Sequence, residues 1–214
     1  EEQLGATWTG ERVSLAVVGE PGIGKTRLLE ALCERARAAG FGVLVGRCED
    51  LEQDVPFGVI VDALNDHLSV DPEALRSLGN DRLAELGTVL PSLAGMAGQL
   101  ASLLDVERYR LHQAVRAALE QLARDRPLLL ALDDLHWADA ASIELIAHLL
   151  RRGVRRTLIA LAYRPQHVPE ALLRTVNVAI KNRALRVLEL EPFTFEEAVT
   201  LLGPRFDRGR AEGF

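Results

Sequence analysis

The sequence predicts an α/β fold: a mostly parallel five-stranded sheet between helical layers, with a helical insertion between the second and third strands. Three observations predict it. Apolar runs of strand length alternate with segments of helical period, the pattern of a parallel, three-layered sheet. The first run ends in a glycine-rich loop that opens a helix. Between the second and third runs lies a stretch too long for a simple crossover.

Val13 to Val18 (Val-Ser-Leu-Ala-Val-Val) is the first strand, β-branched and apolar. It runs into Gly19 to Thr26, Gly-Glu-Pro-Gly-Ile-Gly-Lys-Thr, a complete G-x-x-x-x-G-K-[ST] loop. That pattern describes a phosphate cradle. Glycines accept the positive φ that turns successive backbone N–H groups inward, the lysine reaches the outer phosphates, and the threonine hydroxyl ligates Mg²⁺. The candidate nucleotide contacts are therefore Gly19, Gly22, Ile23, Gly24, Lys25, Thr26 and Arg27, with Lys25 also a catalytic candidate. With this loop the expected architecture is a P-loop NTPase three-layer sandwich. The helix that starts at Lys25 carries Leu28, Leu29, Leu32 and Ala36 near a 3.6-residue period, and its N-terminal dipole adds to the anion site.

Gly42 to Gly46 is a short apolar second strand. From Gly58 to Asp125 the chain is mainly helical, with breaks at Asp71-Pro72, Gly79-Asn80, Gly87 and Pro91; Leu93 to Leu104 is not placed. The last helix of this insertion, Glu107 to Arg124, aligns Leu111, Val115, Ala118, Leu119 and Leu122 on one face. The insertion is expected to form a helical subdomain beside the sheet.

Pro127 to Asp133 is the most hydrophobic strand candidate and is expected at the centre of the sheet. A helix follows from about Asp139 to Arg151, capped by Asp139 and buried through Ile143, Ile146, Ala147 and Leu150. Thr157 to Tyr163 is the fourth strand and Leu185 to Leu190 the fifth. Thr194 to Leu202 begins a last helix with Glu196 and Glu197 in its first turn. Parallel sheets bind ligands at the carboxyl ends of their strands, where Gly19, Asp133 and Arg164 all fall.

An acid at the end of a hydrophobic strand holds Mg²⁺ together with the loop threonine, so Thr26 and Asp133 are the candidate metal ligands. Asp134 can orient or deprotonate an attacking water. Arg164 ends the fourth strand, where its fork matches phosphate oxygens; on position alone a surface salt bridge is the alternative. His136 carries no evident chemistry, and Trp137 packs at the strand-to-helix turn. The guanine-reading Asn-Lys-x-Asp element is absent, Lys181-Asn182-Arg183 being the nearest string, so ATP is expected by elimination.

Composition narrows the function classes. The 214 residues are 48% hydrophobic and 26% charged with a net charge of −6, which suits one α/β domain and argues against wholesale disorder. The acidic balance argues against nucleic-acid binding by this segment itself. Arg151, Arg152, Arg155 and Arg156 read as a solvated helix end with Gly153 as its stop. Cys33 and Cys48 lack metal-ligand spacing and read as reduced thiols. No apolar run reaches membrane-spanning length and the acidic N-terminus lacks a signal core, so a soluble, cytoplasmic protein is expected.

Leu132-Asp133-Asp134-Leu135-His136-Trp137-Ala138-Asp139, together with the phosphate loop, resembles the signal-transduction ATPases with numerous domains (the STAND group). The nearest likeness is to the ATPase domain of large LuxR-type bacterial transcription regulators, which also occurs beside some nucleotide-cyclase and kinase domains. It spans roughly Arg12 to Leu202. Supporting stretches are Glu107 to Leu111, Ala162-Tyr163-Arg164 and Leu190 to Phe193, the last followed by Glu196-Glu197-Ala198.

The resemblance implies an ATP-driven switch. Lys25 and Thr26 would be its phosphate-loop pair, Asp133 its Mg²⁺ acid, Asp134 its hydrolytic acid and Arg164 its γ-phosphate sensor. Hydrolysis would be slow, with the nucleotide state controlling self-association or release of an output domain. Two departures stand out. Glu1 to Glu11 does not match the family's Gly-Arg-Glu opening, and the chain stops at Phe214, before the winged helix, sensory repeats and DNA-binding helix-turn-helix expected further on. The expectation is thus a segment, 1–11, an ATPase domain, 12–203, and a tail, 204–214, from a longer protein, with incomplete base enclosure, weak affinity and slow turnover. The alternatives are a non-hydrolysing nucleotide-binding interaction module and a small-molecule kinase.

Overall fold

The computed structural model describes residues 2–8, 13–52, 55–70, 72–90, 105–194 and 197. In chain order the elements are α1 (Glu2–Trp8), β1 (Val13–Val18), α2 (Lys25–Ala38), β2 (Gly42–Arg47), α3 (Gly58–Val70), α4 (Asn80–Gly87), α5 (Asp105–Leu122), β3 (Leu128–Asp133), α6 (Ala140–Arg152), β4 (Thr157–Tyr163), α7 (Glu170–Lys181) and β5 (Arg186–Glu189). The strands form one sheet in the order β2-β3-β4-β1-β5, and each pairing among the described residues is parallel. The fold is the expected α/β architecture.

Alternation along the strands divides the core into two layers. Leu128, Leu130 and Leu132 of β3 and Ile159 and Leu161 of β4 face a layer built from α3 to α7. Leu129 and Ala131, with Leu158, Ala160 and Ala162, face the opposite layer of α1 and α2, meeting Leu4, Leu29, Cys33 and Ala36. Successive strand side chains point to opposite faces, so strands covered on both sides must be apolar along their covered length, as β3 is from Leu128 to Leu132 and β4 from Leu158 to Ala162. Each fully buried leucine contributes about 1.5–3 kcal/mol relative to exposure.

Several expectations are refined. The centre of the sheet is β4 rather than β3, because β1 and β3 flank β4 on its two edges. β2 runs one residue past Gly46, to Arg47. Gly46 lies so close to α3 that a Cβ there would stand 2.1 Å from the Val59 carbonyl oxygen. The helical insertion packs on the sheet as expected: α3 and α5 contribute Leu64, Leu68, Leu111 and Leu119 to the same cluster as β3. α1, which the sequence reading did not anticipate, buries Leu4, and α7, not singled out there, buries Leu172, Val176 and Ala179. β5 is exposed along its length, unlike the other strands.

The cap expectations hold. Asp139 stands at the N-cap of α6 and accepts the Ser142 N–H at 2.9 Å, while Gly153 is the C-cap with φ 67°. At Thr194 a reciprocal cap joins its N–H and hydroxyl to Glu197 Oε2 at 2.8 and 2.9 Å. The remainder of the helix expected from Thr194 to Leu202, including Glu196, lies outside the described residues, as do Leu93 to Leu104. Cys33 and Cys48 are free and buried. No helix among the described residues is long and apolar enough to cross a membrane.

Candidate nucleotide site

The register of the sheet assembles the site. Val18 pairs with Tyr163 and Arg47 with Asp133, so the loop after β1, the end of β2, the acids at the end of β3 and Arg164 after β4 share one rim. Residues scattered from 19 to 164 in the chain meet there because their strands are parallel and end level.

The loop is open. Gly22 and Gly24 adopt φ 76° and 103°, and nothing lies within 4 Å of where a Cβ would stand on either. α2 starts immediately afterwards, with no side chain capping its N-terminus. Its first N–H groups are thus available to an anion. Ile23 holds the turn by donating its N–H to the Glu20 carbonyl at 3.4 Å. Lys25 is 6% exposed, and its ammonium donates to the Gly19 and Glu20 carbonyls at 2.9 and 2.8 Å. Burial pushes the Lys25 ammonium below its ordinary pKa and the nearby Arg164 charge pushes the same way, against Asp134, Asp133 and Glu20. Arg164 itself keeps a buried Nε–H without a hydrogen-bond partner among the described residues. Two cations therefore stand near each other beside a set of open amides, an arrangement that an anion stabilises.

The acids lie on the other side. Thr26 Oγ1 donates to Asp133 Oδ2 at 2.7 Å, and the Asp134 N–H donates to Asp133 Oδ1 at 2.8 Å. Asp134 is left-handed, with φ 53° and ψ 36°. Aspartate tolerates that conformation better than most residues, and here it turns the chain just past the strand. The negative charge is dense enough to act at a distance. Burial pushes the Cys48 thiol up to about 12, with Asp139, Asp134, Asp133 and Asp62 acting in the same direction. A hydroxyl and a carboxylate 2.7 Å apart supply the hard oxygen donors that Mg²⁺ takes when phosphates and water complete its shell. The residues present fit a Mg·nucleotide.

Of the sequence candidates, Gly19, Gly22, Gly24, Lys25, Thr26, Asp133, Asp134 and Arg164 converge. Arg27 does so only through its backbone, since its side chain is 86% exposed and pairs with Glu30 at 2.9 Å. His136 packs against Trp137, with ring centroids 4.9 Å apart, and its Nδ1 is 3.9 Å from Asp134 Oδ1. Asp139 works as a brace: besides capping α6 it accepts the Phe57 N–H at 3.1 Å, tying the start of α3 to the acid turn. Gln166, donating to Glu20 Oε1 at 3.0 Å, links the loop to the segment after β4.

The sequence reading missed Arg47. Its Nε donates to Asp134 Oδ2 at 3.3 Å, and its Nη2 lies 3.3 Å from Thr26 Oγ1 and 3.4 Å from Asp133 Oδ2. The sequence carried only a basic residue at the carboxyl end of a short apolar strand, which reads as surface until the strand's register is known.

Comparison with known proteins bears on the family and the fold. A family model described as AAA ATPase domain matches residues 1–161. An uncharacterized protein of Rhizobium meliloti (strain 1021) is 27% identical over 187 residues, covering 79% of this chain; the chain spans only 18% of that relative. Among solved structures, Drosophila ORC bound to DNA contains a chain with a TM-score of 0.51 and 15% identity, covering 94% of this chain and 43% of that one. That likeness is one of fold.

Proposed function

This chain belongs to the AAA ATPase domain family, and from that premise we propose that it is a Mg·ATP-binding switch with slow ATP hydrolysis, of the STAND type, within a multidomain LuxR-type transcription regulator. The observation that carries the reading is the 2.7 Å bond between Thr26 and Asp133, which joins the phosphate loop to an acid 107 residues away beside a buried Lys25. The regulator context is supported by the Leu132 to Asp139 string, which folds as a strand end, an acid turn and a capped helix.

In this reading a bound Mg²⁺ supplies charge neutralisation on the phosphate oxygens. The chain's own groups divide the remaining work. Amides of Gly22 to Thr26 cradle the phosphates, Lys25 exchanges its loop carbonyls for phosphate oxygens, and Thr26 and Asp133 hold the metal. Asp134 orients the attacking water and accepts its proton. Arg164 offers its unpartnered Nε–H to the terminal phosphate. The ATPase domain proposed runs to residue 203, with the helical insertion at about 58–125; the segment 1–11 expected to precede it falls within the matched residues 1–161 and packs Leu4 against the sheet. Its partners are ATP and ADP, the output and sensor domains of the longer protein, and a second copy on self-association. The net charge of −6 supports no direct DNA contact by this segment.

Calorimetric titration of Mg·ATP into the protein and its Lys25→Ala variant tests the proposal. Losing charge-assisted hydrogen bonds should weaken binding by about 10- to 150-fold. Equal affinities would remove the phosphate site. Binding without phosphate release would replace the switch by a non-hydrolysing interaction module, and transfer that requires an added acceptor would indicate a small-molecule kinase.

A further inference from the structure

The arginine at the tip of β2 occupies an unexpected place. Its fork touches Thr26 Oγ1, Asp133 Oδ2 and Asp134 Oδ2, so it reaches both proposed metal ligands and the proposed hydrolytic acid. Its backbone is pinned: the Arg47 N–H donates to Asp62 Oδ2 at 2.8 Å, and the strand is in register with Asp133. Its side chain is not, being 52% exposed. Beside it a cleft of about 250 Å³ opens between α2 and β2, lined by Glu30, Glu34, Arg37, Val45 and Asp133 among others. The guanidinium thus has both a reason to sit on the acids and a route away from them.

Charge explains the arrangement. Asp133 and Asp134 are adjacent, and Asp133 is 4% exposed, so a carboxylate pair without a cation would carry strong mutual repulsion and a desolvation cost. A dication on Asp133 and Thr26 needs oxygen contacts near 2.0–2.1 Å and cannot share them with a guanidinium pressed onto the same oxygens.

Resting on the Mg·nucleotide reading of the site, we propose that Arg47 is a stand-in counter-ion for the metal. It neutralises Asp133 and Asp134 when the site holds no metal, and it is displaced into the α2–β2 cleft, towards Glu34, when Mg²⁺ arrives. The consequence is competition. Arg47 raises the Mg²⁺ concentration at which nucleotide is gripped, and so sets the threshold of the switch without contacting the phosphates.

The test is a Mg²⁺ titration, followed calorimetrically, of a non-hydrolysable ATP analogue with the wild-type protein, Arg47→Met and Arg47→Lys. Met keeps an unbranched apolar stem and removes the charge; Lys keeps the charge. Removing one partly screened positive neighbour should lower the Mg²⁺ midpoint of Arg47→Met by about tenfold, with Arg47→Lys close to wild type. The analogue's affinity in EDTA should not rise in either variant. A midpoint for Arg47→Met equal to or above the wild-type value would overturn the proposal. So would an equal loss of analogue affinity in Mg²⁺ and in EDTA, which would make Arg47 a phosphate ligand. If the wild-type protein binds the analogue but its Mg²⁺ midpoint does not respond to Arg47, the stand-in fails alone; if the wild-type protein does not bind the analogue, the nucleotide reading fails with it.

Discussion

Two arginines end neighbouring parts of the same rim, and they meet opposite electrostatic surroundings. Arg47, after Gly46 in β2, is half-exposed and touches two carboxylates. Arg164, after Tyr163 in β4, keeps a buried Nε–H unpartnered and stands near a second cation, Lys25. Among the described residues, one arginine is paired with carboxylates and the other is not. The difference divides the site into a cation half, around Thr26, Asp133 and Asp134, and an anion half, around the loop, Lys25 and Arg164. A metal and a phosphate chain placed according to those halves have the order of a Mg·nucleotide.

Substitutions can break that division in order of expected effect. The largest belongs to Asp134. If it handles the proton of the attacking water, Asp134→Asn should slow phosphate release by about 10²- to 10⁴-fold while leaving ATP binding unchanged in calorimetry. Unchanged turnover would remove Asp134 from the chemistry. Arg164→Ala comes next. Losing one charge-assisted contact should weaken ATP binding by about tenfold and leave ADP unaffected, since only ATP carries the phosphate it would meet. Equal losses for both nucleotides would move Arg164 away from the terminal phosphate.

Much of this division was legible in the sequence. The loop, β1, β3, β4 and the acid pair are local patterns: an apolar run sufficient to mark a buried strand, a glycine turn, a carboxylate at a strand end. Arg164 was visible because it closes an obvious strand. Arg47 was not, because its importance comes from a tertiary fact, the parallel register that places it opposite Asp133, 86 residues away. A single arginine after a glycine reads as surface until that pairing is known. α1 escaped for a related reason: seven residues with one buried leucine carry too little periodicity to stand out, and the sheet supplies what the local sequence lacks. The exposure of β5 was written in its composition, since Arg186 and Glu189 bracket only two apolar residues, unlike the leucine-rich runs of β3 and β4.

The smallest expected effect lies away from both arginines and controls for them. His112 and His148 are buried between α5 and α6 with ring centroids 5.5 Å apart, and the Nε2 atom of each lacks a hydrogen-bond partner among the described residues. Burial lowers both, His148 to about 4, where His112, Arg151, Arg152 and Arg116 push in the same direction; Glu144 opposes this at His112. Their folded pKa values lie below the ordinary value of 6.5, so the unfolded chain binds more protons under that pH. Stability is complete above 6.5 and declines as pH falls towards 4. Tm followed by circular dichroism should show this decline, shallower in His148→Gln; identical slopes would place the acid sensitivity elsewhere.

The central claim is that one phosphate chain bridges the two halves, and a crystal structure with a non-hydrolysable ATP analogue and Mg²⁺ tests it most directly. Metal density should lie in contact with Thr26 and Asp133, and a terminal phosphate between Lys25 and Arg164. An analogue bound away from the glycine loop, or a metal without contact to Asp133, would contradict it.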